Sequence, residues 1–159
     1  MQKYHNKSAK HASGFTLIEL IVVIVILGLL SAYALPRFAA LQTEARIAKM
    51  NGALASLKSG AALARSIQLT QQLALNTSIT MEGSVVPMAN GYPTTALTGI
   101  PIAAGLATPD FVLTVTSATV FTVSADANHA TCAVTYTVPV AAGSPPTYSN
   151  AGLTAANCA

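Results

Sequence analysis

The sequence predicts an α+β chain in which the outer half of a long N-terminal helix packs on a small antiparallel β-sheet. Three observations lead there. Residues 15–35 form an apolar run with a single charge; residues 37–73 lack proline and repeat apolar side chains at three- and four-residue steps; from residue 111 the period shifts to the two-residue alternation of strands. A helix with one apolar stripe has to bury it against another layer, and here the sheet is that layer.

Composition narrows the class. Only 8% of the 159 residues are charged and 52% are hydrophobic, too apolar for a disordered or nucleic-acid-binding chain. The net charge of +3 comes from Lys3, Lys7 and Lys10, all ahead of the apolar run. Beyond residue 14 the basic residues (Arg37, Arg46, Lys49, Lys58, Arg65) balance the acidic ones (Glu19, Glu44, Glu82, Asp110, Asp126).

The apolar run is long enough for a membrane. Its 21 residues span roughly 31 Å as a helix, the thickness of a bilayer core. Fourteen of them are Phe, Leu, Ile or Val, together favouring insertion by roughly 4–8 kcal/mol, against about 3 for one carboxylate. The segment therefore inserts despite Glu19, and the preceding lysines keep the N-terminus cytoplasmic. Cleavage between Gly14 and Phe15 would remove the basic leader and leave the whole helix. It would also create an amine on Phe15, four residues from Glu19. Amine and carboxylate could neutralise each other within one helix, or between staggered copies, where Glu19 would act as a register pin. The plainer alternative is a lone interfacial carboxylate in a membrane anchor.

The stretch "GFTLIEL", the apolar run and "ALPRF" resemble the prepilin motif of type IV pilins and related pseudopilins. The resemblance implies cleavage by a prepilin peptidase after Gly14, N-methylation of Phe15 and subunit alignment through Glu19. Gly28 and Pro36 stand where the family has a glycine and a helix-breaking proline, between which the helix often loosens in filaments. The chain is thereby organised as a leader (1–14), a transmembrane and filament-core helix (15–36) and its amphipathic continuation (37–73). A connecting loop (74–110) and a sheet with a C-terminal loop (111–159) complete a pilin fold.

In the continuation, Ile47, Met50, Leu54, Leu57, Ala61 and Ala64 form an apolar stripe. Gly52, Ser56, Gly60 and Ala64 form a ridge of small residues open to close approach by a sheet or helix. Residues 74–110 are rich in Thr, Ser, Gly and Pro, and "NGYPTTALTGIP" reads as turns, with room for a short helix or strand. "FVLTVTSATVFTVSA" holds two strands turning near Ser117, and "TCAVTYTVPV" a third with Cys132, Val134, Tyr136 and Val138 on one face. After Pro139 the chain reads as a loop. If this part is exported, Cys132 and Cys158 form a disulfide enclosing 25 residues, worth roughly 3–4 kcal/mol; the alternative is two buried thiols.

"PRFAALQTEAR", "NGYPTT" and "CAVTYT" with the terminal cysteine resemble the mannose-sensitive haemagglutinin type of type IVa pilin, while "GYPTT" is also similar to the major pseudopilin of type II secretion. No phosphate loop, nucleophile elbow or HExxH motif occurs, and no enzyme or cofactor is expected. His129 reads as a solvated turn residue, and Glu82, Asp110 and Asp126 are isolated carboxylates that only the fold could unite into a calcium site. Asn76-Thr77-Ser78 fits a glycosylation sequon. The resemblance implies a pilus subunit, held in the bacterial inner membrane and then polymerised into an extracellular fibre for adhesion and motility. Its partners would be copies of itself, the prepilin peptidase, an inner-membrane platform protein, an assembly ATPase and a secretin. The alternatives are a secretion pseudopilin forming a periplasmic piston and a monomeric anchored binding protein.

Overall fold

The computed structural model describes residues 14–159; the leader expectation, with its lysines and His5 and His11, lies outside them apart from Gly14. The elements are α1 (Leu17–Thr70), β1 (Ile79–Met81), β2 (Ser84–Val86), β3 (Met88–Ala89), β4 (Tyr92–Pro93) and α2 (Ile100–Ala103). They continue with β5 (Val112–Val115), β6 (Val120–Ser124), β7 (Ala133–Thr137), β8 (Thr147–Ser149) and α3 (Ala155–Cys158). The architecture is α+β, as the sequence predicts. The chain divides into two units, residues 1–38 and 39–159.

In the first unit α1 is apolar on every side, and nothing within that unit covers it. Exposure of its large apolar side chains in this unit runs from 46% at Ile21 to 80% at Tyr33, so lipid or other copies have to cover this surface. The single chain keeps Gly28 and Pro36 helical. Pro36 has no N–H to return to the preceding turn, whereas the Ser31 hydroxyl donates to the Leu27 carbonyl at 2.7 Å. A Cβ at Gly28 would meet nothing within 4 Å, so packing within the chain does not require that glycine.

In the second unit the predicted stripe becomes the core. Met50, Ala53, Leu57 and Ala61 of α1 are buried with Phe121 and Val123 of β6 and Val134 and Tyr136 of β7. The sheet runs β5-β6-β7-β8, antiparallel throughout. Alternate residues of its middle strands face the helix, as the period of two requires: Cys132, Val134, Tyr136 and Val138 are all buried. Burial pushes Tyr136 above its ordinary pKa, and burial with Tyr92 nearby pushes Tyr148 up to about 12; the Tyr136 hydroxyl donates to the Pro93 carbonyl at 2.7 Å.

The loop expected over 74–110 is more ordered than its composition suggests. Two hairpins, β1-β2 and β3-β4, each turn on a residue pair in the left-handed region: Glu82-Gly83 (φ 49° and 79°) and Asn90-Gly91 (φ 53° and 93°). Their inner residues Ile79, Met81, Val86 and Met88 pack on Ala64 and Ile67 of α1. The helix ends at Thr70, three residues before the expected end. There the buried Gln68 side chain donates to the carbonyls of Ala74 (3.1 Å) and Leu75 (3.0 Å) and bends the chain back. The C-terminal segment expected as pure loop adds β8 and α3.

Of the predicted small-residue ridge, Gly60 is the member that close packing requires. A Cβ there would clash with the Ala103 carbonyl and lie 2.7 Å from the Ala104 Cα, so the neighbour is the end of α2 rather than the sheet. Gly52 has nothing within 4 Å. Gly60→Ala should therefore destabilise the folded protein by about 1–3 kcal/mol, although alanine favours the helix by about 1 kcal/mol. Gly52→Ala should stabilise it by about 0.5–1 kcal/mol. Denaturant unfolding of the two variants in detergent would show opposite shifts; shifts of the same sign would refute the close contact.

Candidate functional site

The first unit carries the site that the sequence singles out. Gly14, Phe15 and Thr16 precede the helix, so the peptide bond between Gly14 and Phe15 lies in exposed chain ahead of α1. Thr16 occupies the capping position. Its backbone N–H and its hydroxyl both donate to the Glu19 carboxylate oxygen Oε2, each at 2.8 Å, and the Glu19 N–H donates back to the Thr16 hydroxyl at 3.3 Å. This is a reciprocal capping box, which satisfies N–H groups that the first helical turn leaves without partners. The Glu19 charge also sits at the positive end of the helix, where an anion is favoured.

Sequence reasoning placed Glu19 with the Phe15 amine and missed Thr16. The signal was present: a threonine followed three residues later by a glutamate, at the head of an apolar run, marks a helix start. Glu19 Oε1 has no hydrogen-bond donor among the described residues. Phe15 in this chain is joined to Gly14, so its amine exists only after cleavage.

The second unit carries the cysteine pair. Cys132, at the entry to β7, and Cys158, at the end of α3, are joined by a disulfide with their Cα atoms 4.8 Å apart, and both are fully buried. The Thr154 hydroxyl caps α3 by accepting from the Asn157 N–H at 3.2 Å. Gly152 lets the returning chain lie against β7, since a Cβ there would come within 2.6 Å of the Ala133 carbonyl oxygen.

Two cations of α1 hold this end of the protein. The Arg46 guanidinium donates to the Cys158 carbonyl and pairs with Asp126 at 3.5 Å. The Lys49 ammonium donates to the carbonyls of Asp110 and Ala125 and lies 4.6 Å from the centre of the Phe111 ring. His129 departs from the solvated residue expected: it is half-buried, with its Nδ1 2.7 Å from Asp126 Oδ1. Asp126 also accepts from the backbone N–H groups of Asn128 and His129, both at 2.9 Å. Among the described residues no three His, Cys, Asp or Glu side chains form a metal-binding group. Asp126 is engaged with Arg46 and His129, not with Glu82 or Asp110.

Comparison with known proteins finds a match at the N-terminal segment. The prokaryotic N-terminal methylation motif matches residues 9–35. Over 53 residues, 33% of this chain, the sequence is 49% identical to the type IV narrow pilus major component PilA5 of Thermus thermophilus. That stretch is 46% of the relative, so the chain spans about half the length of the curated protein it matches. No solved structure matches the chain.

Two outcomes follow for the second unit. Reduction, or the Cys132→Ser/Cys158→Ser pair, should cost about 2–4 kcal/mol in denaturant unfolding, since both sulfurs lie in the core. Reduction should not further destabilise the serine pair; a reduced wild type as stable as the oxidised one would contradict the cross-link's role. The second outcome concerns acid. The His129 side chain, helped by the backbone N–H groups of His129 and Asn128, holds the Asp126 carboxyl below its usual range. A carboxyl lowered in the folded state stabilises above its unfolded pKa, and the contribution is lost as pH falls through the folded value. Asp126→Asn should therefore lose less stability than wild type on acidification below about pH 4. Parallel losses in the two proteins would remove Asp126 from the account.

Proposed function

From the premise of a type IV prepilin N-terminus, we propose that this chain is the structural subunit of a type IV pilus, polymerising into an extracellular adhesive fibre. One observation carries the reading: the motif Gly14-Phe15-Thr16 and Glu19 heads an apolar helix that nothing in its own unit covers. In the inner membrane, lipid covers that surface; in the fibre, the same helix of other copies does. Removal of residues 1–14 by the prepilin peptidase deletes the basic leader and frees the Phe15 amine, which is then N-methylated.

The capping box gives the Glu19 carboxylate donors from its own chain while the subunit is still in lipid, where an unsatisfied charge is costly. On assembly the Phe15 amine of another copy approaches the carboxylate and sets the axial register. A charge pair formed away from water is strongly specified, because a subunit displaced from register leaves both charges buried and unpaired. The 28–36 segment is where the helix loosens in the fibre: Gly28 has low helix propensity, and Pro36 lacks a ladder bond. The disulfide-closed sheet unit lies on the outside of the fibre. An inner-membrane platform protein, a cytoplasmic assembly ATPase and an outer-membrane secretin complete the machinery.

Glu19→Ala should leave membrane insertion and processing intact and greatly reduce sheared surface fibres; normal fibre yield would rule out the register role. Intact mass of wild-type fibres, before and after reduction, should give a chain starting at methylated Phe15 with one disulfide. A processed chain retained in the envelope and required for protein secretion would instead identify a type II pseudopilin.

A further inference from the structure

We propose that Asn76 is a modification site, at which a preassembled oligosaccharide is N-linked to the exported part of the chain. Two N-x-S triplets occur in the sequence, Asn6-Lys7-Ser8 and Asn76-Thr77-Ser78. The first lies in the proposed leader, so Asn76 is the acceptor that a processed chain starting at Phe15 keeps. All three residues of its triplet are exposed, in the connection between α1 and β1. An acceptor triplet needs that exposure, because a transferase has to reach the asparagine amide and the serine hydroxyl together.

The backbone at this place is fixed while the side chains stay accessible. The Thr77 N–H donates to the Ala74 carbonyl at 2.9 Å and closes a turn. The buried Gln68 amide ties the Ala74 and Leu75 carbonyls to α1, and the Gly91 N–H also donates to the Leu75 carbonyl, at 2.9 Å. The Asn76 carboxamide is itself oriented, since its Oδ1 accepts from the Asn90 N–H at 2.8 Å. Only the oxygen of an amide can accept from an N–H, so this contact decides which end of the carboxamide is which. Nδ2 is left without an acceptor among the described residues.

The chemistry fits that arrangement. Nδ2 attacks the anomeric carbon of a sugar carried as a lipid diphosphate ester. An N–C bond forms, the C–O bond to the diphosphate breaks, and one Nδ2 proton passes to a base of the transferase. The donor has to be membrane-borne, because residue 76 follows the spanning segment and lies across the membrane from the basic leader and the nucleotide sugars of the cytoplasm. This sidedness rests on the exported, processed subunit proposed above. The linkage consumes one N–H of Nδ2 and leaves Oδ1 untouched, so the Asn90 contact survives and the first sugar leaves from a turn that stays tied down.

The test is intact-mass and peptide mass spectrometry of the full processed chain from the bacterium that makes it, with sheared fibres and envelope analysed separately. Wild type should exceed the mass of residues 15–159, methylated and disulfide-closed, by one glycan, carried on the peptide that contains Asn76. Asn76→Gln and Ser78→Ala should each lose the whole increment, whereas Ser78→Thr and Thr77→Val should keep it. Ser78→Ala leaves the Asn90 contact in place, so its loss of glycan does not follow from a disturbed turn. No increment in wild type, an increment that survives both Asn76→Gln and Ser78→Ala, or a glycan released by β-elimination from a serine or threonine would each overturn the proposal. Glycosylated chain confined to the envelope, without fibres, would sink the fibre reading and leave this site standing; fibres of unglycosylated chain would do the reverse.

Discussion

The constraint on which the rest depends is a carboxylate at the head of a helix with no covering layer of its own. Glu19 opens a stretch in which every large apolar side chain is at least 46% exposed, so its surroundings are lipid or other protein, never a core built by its own unit. In either setting the charge needs donors that water will not supply. Thr16 provides two of them from within the chain. The helix start and the satisfaction of the charge are thus one structural device, and the proposed cleavage after Gly14 would offer the same carboxylate an amine.

The second unit solves a different problem. Its four-stranded sheet is small, its strands are three to five residues long, and its outer face is uncharged. Stability comes instead from three ties to other elements. The stripe on α1 buries its apolar side chains against β6 and β7. Arg46 and Lys49, on the same helix, reach carbonyls at the C-terminus and in the loops around β5 and β6. The Cys132–Cys158 bond then closes the end of the chain onto the entry to β7. The polar ties sit at the rim of the core, so Arg46, Lys49 and Asp126 serve internal order.

Much of this was legible. Side chains repeating at three and four residues marked the buried face of α1, because one helical face is one burial environment. Alternation located β5, β6 and β7 and named the buried face of β7 residue by residue. The short strands escaped because two or three residues cannot express a period, although Asn90-Gly91 is a strong hairpin signal and was read only as a turn. Gly60 was picked out with three other small residues, and which of the four mattered depended on where α2 came to lie.

The sequence by itself determined the N-terminal site, because that site is local. Gly14, Phe15, Thr16 and Glu19 lie within six residues, the capping spacing is a property of one helical turn, and the apolar run needs no partner to be recognised. It also determined the fold class, through two periodicities. Tertiary structure decided which distant groups meet: Arg46 with Asp126, Lys49 with the Asp110 and Ala125 carbonyls, Gly60 with Ala103, and Thr114 in row with Ser149. Such pairings follow from packing and strand register, which the whole chain sets at once, and no local pattern of residues encodes them.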